Sequence, residues 1–192
     1  MIAVIKYNAG NIKSLSFALE RLGVDFKVTG DVEEIQNADK VIFPGVGEAS
    51  TTMAYLKEHK LDSVIKSLKQ PTLGICLGMQ LMCNRPDENN PECIGIFDSD
   101  VKLIPAANGL KVPHMGWNKL QNQSDWLSGI PSDYAYFVHS FYIPANDYTT
   151  ASCNYGVEIS AGMRKDNFYA LQFHPEKSAA VGEVILKQFL AI

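Results

Sequence analysis

No stretch of this chain approaches the roughly 20 consecutive apolar residues that a helix needs to cross a bilayer. Its opening, Met1-Ile2-Ala3-Val4-Ile5-Lys6, also lacks the basic region that precedes the apolar core of a secretory signal. Both absences predict a cytoplasmic protein with no membrane among its partners. A long basic run is missing too, and 17 Lys and Arg against 21 Asp and Glu leave a formal charge of −4. That balance offers no electrostatic footprint for nucleic acid. Cysteine is scarce: Cys76, Cys83, Cys93 and Cys153 have neither Cys-x-x-Cys spacing nor a histidine arrangement that would hold zinc. A disulfide scaffold is out of place in a chain of this size, so reduced thiols are expected, with no metal and no cofactor. No repeat, linker or low-complexity tract divides the 192 residues, of which 46% are hydrophobic. The expectation is one domain, residues 1–192, with a core of its own.

The first half alternates short apolar runs with segments of helical period. Ile2 to Ile5 reads as a strand; Ile12, Leu15, Leu19 and Leu22 recur at spacings of three and four, one apolar helical stripe, and Gly23 ends it. Phe26 to Val28, a short helix from Asp31 to Gln36, Lys40 to Phe43, and a helical stretch from Thr51 to Lys69 continue the alternation up to a strand before Cys76. Such a βα series predicts an α/β fold of three layers, a mostly parallel sheet with flanking helices and ligands at the carboxyl ends of the strands. The second half is richer in strands: Val101 to Ile104, Ala135 to Ile143, Thr149 to Asn154, Ser160 to Arg164 and Phe168 to Phe173, before a closing helix from Val181 to Leu190. Asp87 to Pro91 reads as an exposed loop.

Two short motifs carry the chemistry. Gly74-Ile75-Cys76-Leu77-Gly78 follows one strand, and His174-Pro175-Glu176 follows another. A nucleophile raised on a tight strand-to-helix turn needs neighbours without a Cβ, which Gly74 and Gly78 supply. Cys76 then sits at a helix N-terminus, where the helix dipole and a nearby imidazolium favour thiolate over thiol. Pro175 keeps His174 extended, so residues i and i+2 face one side and Glu176 can hold the His174 ring, as the third member of a triad does. Pro44-Gly45-Val46-Gly47 follows the third strand and is a candidate oxyanion loop, with the Val46 or Gly47 amide as one donor and the Leu77 amide as the second. The loop lacks the Gly-Lys-Ser/Thr of a phosphate-binding loop. Cys83 and Cys153 read as core residues and Cys93 as a loop thiol, and His114 and His139 have no catalytic partner in the sequence.

Gly74-Ile75-Cys76-Leu77-Gly78-Met79-Gln80 together with Gln172-Phe173-His174-Pro175-Glu176 resembles the class I, triad-type glutamine amidotransferases. Pro44-Gly45-Val46-Gly47-Glu48, Pro113-His114-Met115-Gly116-Trp117-Asn118, Phe137-Val138-His139-Ser140-Phe141-Tyr142 and Lys177-Ser178 narrow the resemblance to members that serve a cyclase in histidine biosynthesis. It spans the chain from Lys6 to the last helix and implies a flavodoxin-like sheet. It also implies a glutaminase in which Cys76 attacks L-glutamine, His174 moves protons and Glu176 orients His174. Gly45, Gln80, Ser140 and Phe141 match the positions that hold glutamine, with Phe141 in place of the commoner tyrosine. The implied partner is a barrel-type cyclase subunit in a heterodimer, which takes the ammonia and supplies the sugar-phosphate site this chain lacks. Asn11, Met115, Trp117, Tyr136 and Lys177 match the docking and signalling face.

Rival readings differ in chemistry. A related cyclase-like partner in surface-sugar biosynthesis would use the same glutaminase. A cysteine protein of the DJ-1/PfpI kind would share the elbow but not the His-Pro-Glu. A non-catalytic flavodoxin-like module would make Cys76 an ordinary small core residue, against which the paired glycines argue.

Overall fold

The computed structural model describes residues 1–8, 12–85, 91–106, 109–130 and 134–192. The elements run β1 (Ile2–Ile5), α1 (Ile12–Arg21), β2 (Phe26–Thr29), α2 (Val32–Gln36), β3 (Lys40–Phe43), α3 (Ala49–Glu58), α4 (Leu61–Ser67), β4 (Thr72–Ile75) and α5 (Leu77–Leu81). The second half adds β5 (Lys102–Leu103), β6 (His114–Lys119), β7 (Tyr134–His139), β8 (Phe141–Tyr142), β9 (Thr149–Asn154), β10 (Glu158–Lys165), β11 (Phe168–Leu171) and α6 (Ala179–Ala191).

A seven-stranded sheet in the order β2-β1-β3-β4-β11-β10-β9 forms the middle layer. Strands β2, β1, β3, β4 and β11 are parallel, whereas β10 runs antiparallel to both its neighbours. Strands buried on both faces read as continuous apolar runs, and every residue of β1, β4 and β11 is buried. Alternate residues of β1 divide the core. Ile2 and Val4 pack with Leu15 and Leu19 of α1 and Ile185 and Phe189 of α6. Ala3 and Ile5 pack with Ile35 of α2, Met53 and Leu56 of α3, and Val64 and Ile65 of α4.

Three boundaries differ from the periodicity. The helix expected over Thr51–Lys69 breaks after Glu58, because Lys60 takes a left-handed φ of 58° and the His59 ring stacks on Tyr55 at 4.0 Å. The single strand expected over Ala135–Ile143 is cut at Ser140, where pairing changes: β7 pairs with β6 and β8 with β5. The strand expected over Val101–Ile104 shortens to the two residues of β5. Strand β6 itself was not expected. Its apolar Met115 and Trp117 face solvent and its polar His114 is buried, the reverse of the usual alternation. Most of the loop expected over Asp87–Pro91 lies outside the described residues.

Candidate active site

The strand order brings the two motifs together. β4 and β11 are parallel neighbours, with Ile75 opposite Leu171, so their carboxyl ends deliver Cys76 and the segment Gln172–Glu176 to the same edge. The Cys76 amide donates to Leu171 O at 2.7 Å, tying the elbow to the strand that leads to His174. Cys76 takes φ 52°, ψ −107° immediately before α5, a conformation that persists only where the surroundings over-determine it. The flanking glycines are part of those surroundings. A Cβ at Gly78 would fall on the Phe43 carbonyl, and one at Gly74 would press on Met82 and the backbone of the α5 turn.

His174 and Glu176 form a buried pair, Nδ1 to Oε1 at 2.8 Å, with side-chain exposures of 1% and 3%. A carboxylate at Nδ1 fixes that nitrogen as the donor and leaves Nε2 as the atom that exchanges a proton. Nε2 is buried and makes no hydrogen bond. Burial pulls the His174 ring down, but the charge of the adjacent Cys76 and the hydrogen bond and charge of Glu176 outweigh it, so its pKa stands well above the ordinary histidine value. Cys76 and Glu176 therefore both act on this imidazole. The turn after His174 is braced from three sides. The His174 amide donates to Tyr136 O at 2.9 Å, Ser178 Oγ donates to His174 O at 2.7 Å, and the same Oγ accepts from the Tyr136 amide at 2.9 Å. A Cβ at Gly182 in α6 would overlap the Pro175 carbonyl, so the closing helix packs directly on the His-Pro-Glu turn.

A cavity of about 340 Å³ opens over the nucleophile, lined by Val46, Gly47, Cys76, Leu77, Gln80, Pro113, Val138, His139, Ser140 and Phe141. Six residues named from sequence for the oxyanion or glutamine contacts thus share one pocket: Val46, Gly47, Leu77, Gln80, Ser140 and Phe141. Gly45 does not line it. Gly45 is buried within the loop, its carbonyl accepting the Leu77 amide at 3.3 Å, and a Cβ there would strike the Tyr7 hydroxyl. The Tyr7 hydroxyl donates to Pro44 O at 2.5 Å and stays protonated, since burial and then the charge of Cys76 push its pKa up.

The family model for class-I glutamine amidotransferases matches residues 3–192. The chain belongs to the class-I glutamine amidotransferases. An imidazole glycerol phosphate synthase subunit HisH from Bacteroides fragilis is 57% identical over 194 residues, covering 100% of this chain and 99% of that protein. The protein of the same description from Bacteroides thetaiotaomicron is 55% identical over 192 residues, covering 98% of each chain. A solved structure described as a glutamine amidotransferase superposes with a TM-score of 0.78 at 17% identity, over 100% of this chain and 98% of that one, a likeness that speaks for the fold alone.

On this amidotransferase the residues named for docking divide by position. Met115 and Trp117 point outward from β6 at 63% and 52% exposure. The Trp117 ring meets Tyr136, its cross-strand partner on β7, at 6.0 Å. Lys177 is exposed in the turn just after Glu176, and Asn11 lies outside the described residues. Cys83 and Cys153 are core thiols, the latter raised by burial to about 12. Cys93 is a loop residue but a buried one, also raised by burial to about 12. The structure adds to the site Gln172, whose Nε2 lies 3.8 Å from the Cys76 sulfur, and, as its supports, Tyr7, Ser178 and Gly182. Gln172 stood inside the quoted motif, two residues before His174 and hence on the same side of an extended chain.

His114 and His139 are buried against each other, Nδ1 of the first to Nε2 of the second at 3.0 Å. Burial lowers His114 from 6.5 to about 4. His139 falls to about 3 through burial and then the charges of His114 and His174. Between those values and pH 6.5 the unfolded chain binds protons that the folded chain refuses, so stability falls as the pH drops through this window, by up to about 1.4 kcal/mol per unit for each ring. His174, with its raised pKa, contributes fully below pH 6.5 and loses its contribution only as the pH rises above it. The denaturation midpoint should therefore drop between pH 6.5 and 4.5, before carboxylates protonate. A midpoint flat across that interval would show that the pair is not held neutral.

Proposed function

We propose that this chain is the glutaminase subunit of an imidazole glycerol phosphate synthase, releasing ammonia from L-glutamine for a barrel-type cyclase subunit in histidine biosynthesis. The carrying observation is the His174–Glu176 pair at 2.8 Å acting beside Cys76 under a pocket of amino-acid size, in a chain 57% identical end to end to a protein of that description.

The reaction follows from these groups. The Cys76 thiol gives its proton to His174 Nε2, its sulfur adds to the carboxamide carbon, and the C=O electrons move onto oxygen, where the Val46 or Gly47 amide and the Leu77 amide receive the charge. His174 Nε2 passes its proton to nitrogen as the C–N bond breaks, so ammonia leaves and a γ-glutamyl thioester remains. Water then gives a proton to the same nitrogen and adds to the thioester. The C–S bond breaks and glutamate departs. Glu176 keeps Nδ1 as the protonated position throughout. Gly45, Gln80, Ser140 and Phe141 hold the substrate.

Trp117 and Met115 are large apolar side chains in solvent beside Tyr136, the residue types that anchor interfaces, and with the exposed Lys177 they make up the docking residues among those described. Mixed with a barrel-type cyclase from the same source, the chain should elute as a heterodimer and support synthesis of imidazole glycerol phosphate from glutamine. Synthesis that proceeds with ammonium salts but never with glutamine would refute the reading.

A further inference from the structure

The polar groups running from the half-buried Asn118 on the β6–β7 ribbon to the nucleophile form one connected series in which the donors and acceptors can be assigned. Asn118 Nδ2 donates to Asn154 O at 2.9 Å, while its Oδ1 accepts from the Lys119 amide at 2.7 Å, which fixes the orientation of the amide. Its second hydrogen faces His114 Nε2 at 3.3 Å. At the far end of the histidine pair, His139 Nδ1 lies 2.7 Å from Phe141 O, and a carbonyl only accepts. His139 therefore carries its proton on Nδ1 and accepts at Nε2, so His114 must donate from Nδ1 and accept from Asn118 at Nε2. Three independent constraints agree on one tautomer for each neutral ring. Both are the Nδ1–H form.

Phe141 O is a double acceptor, because Gln80 Nε2 also donates to it at 2.9 Å. The other Gln80 hydrogen goes to Gln172 Oε1 at 3.0 Å, and Gln172 Nε2 points to the Cys76 sulfur at 3.8 Å. With both Nε2 hydrogens occupied, Gln80 can offer a ligand only its carbonyl oxygen. Strand alternation explains how one ribbon serves two sides: Met115 and Trp117 face out from β6 while His114 and Asn118 face in.

We propose that His114 and His139 are positioning residues for the glutamine pocket: by locking the Phe141 carbonyl they fix the Gln80 amide as an acceptor toward substrate and the Gln172 amide as a donor toward the Cys76 sulfur. The proposal rests on the glutaminase reading and deepens it. A pocket presenting an acceptor at Gln80 selects a ligand group bearing N–H, a carboxamide or an ammonium, over a carboxylate.

The ring tautomers are read from 15N-histidine NMR of the intact protein at pH 7, with no need for activity. Both rings should show protonated Nδ1 and bare Nε2, and an Nε2–H form at either ring overturns the proposal. In glutaminase assays with the cyclase present, His139→Leu should raise KM for glutamine about 10-fold, the effect of one lost buried hydrogen bond, with kcat changed less than about 3-fold. His139→Asn, which keeps a donor near the Nδ1 position, should stay within about 3-fold of the parent in KM. Leu and Asn variants that behave alike overturn the positioning role, and if the Leu variant fails to fold, the tautomers still decide. A parent protein that hydrolyses no glutamine with its cyclase would instead sink the glutaminase reading, an outcome separate from the ring assignments.

Discussion

Replacing Cys76 by alanine should lower kcat for glutamine hydrolysis by at least about 10⁴-fold, because among the described residues no other thiol lines the pocket and residues that act as one catalytic unit fail together. The fold should survive. Cys76 is 6% exposed, but its sulfur makes only weak contacts, 3.8 Å to Val138 O and 3.8 Å from Gln172 Nε2. Alanine also has a Cβ, so it meets the same φ of 52° that cysteine already tolerates. A glutamate-release assay with the cyclase present, beside a thermal melt, separates chemistry from folding. Full activity in Cys76→Ala would end the mechanism. His174→Ala should fall nearly as far, since without that imidazole no proton reaches the departing nitrogen.

The second large effect concerns the oxyanion donors. Leu77 N donates to Gly45 O at 3.3 Å, so the amide next to the nucleophile is held by the carbonyl of the loop that should supply the other donor. While that bond stands, the proposed oxyanion hole lacks one of its two donors, and one donor is worth about 10²- to 10³-fold in kcat. The loop has the means to re-aim: Gly47 is exposed, takes φ 123°, and has open space where a Cβ would lie. Glutamine hydrolysis by the chain alone should therefore be slower by about 10²-fold or more than hydrolysis in the presence of the liganded cyclase. Equal rates in the two states would remove the idea of a loop misaligned at rest. Gly47→Ala, which meets no steric neighbour but is strained at this φ, should blunt the stimulation.

How much of the site was legible depended on how local each constraint is. The elbow could be read because a strand, two glycines and a helix occupy consecutive positions around Cys76. The His174–Glu176 pair could be read because an extended chain before proline sets i and i+2 on one side. The strand β6 could not, since its large apolar residues face solvent and its histidine faces in, so the pattern that signals burial is inverted. The cut at Ser140 was hidden as well: Ala135 to Ile143 is a continuous strand by composition, and only the change of pairing partner, from β6 to β5, divides it. Gly45, a glutamine contact by its motif, is buried within the loop against Tyr7, a packing that no local pattern announces.

By itself, the sequence determined the chemical inventory and the order of elements. A nucleophile, an imidazole with its carboxylate and a glycine loop each follow a strand, because backbone sterics over two or three residues dictate those turns. Only the tertiary structure decided that β4 and β11 are neighbours, that the Leu77 amide faces Gly45, and that Asn118, His114, His139, Gln80 and Gln172 join into one series. Those contacts are hydrogen bonds between segments distant along the chain. Such bonds depend on strand order and register, which leave no periodic trace in the residues that make them.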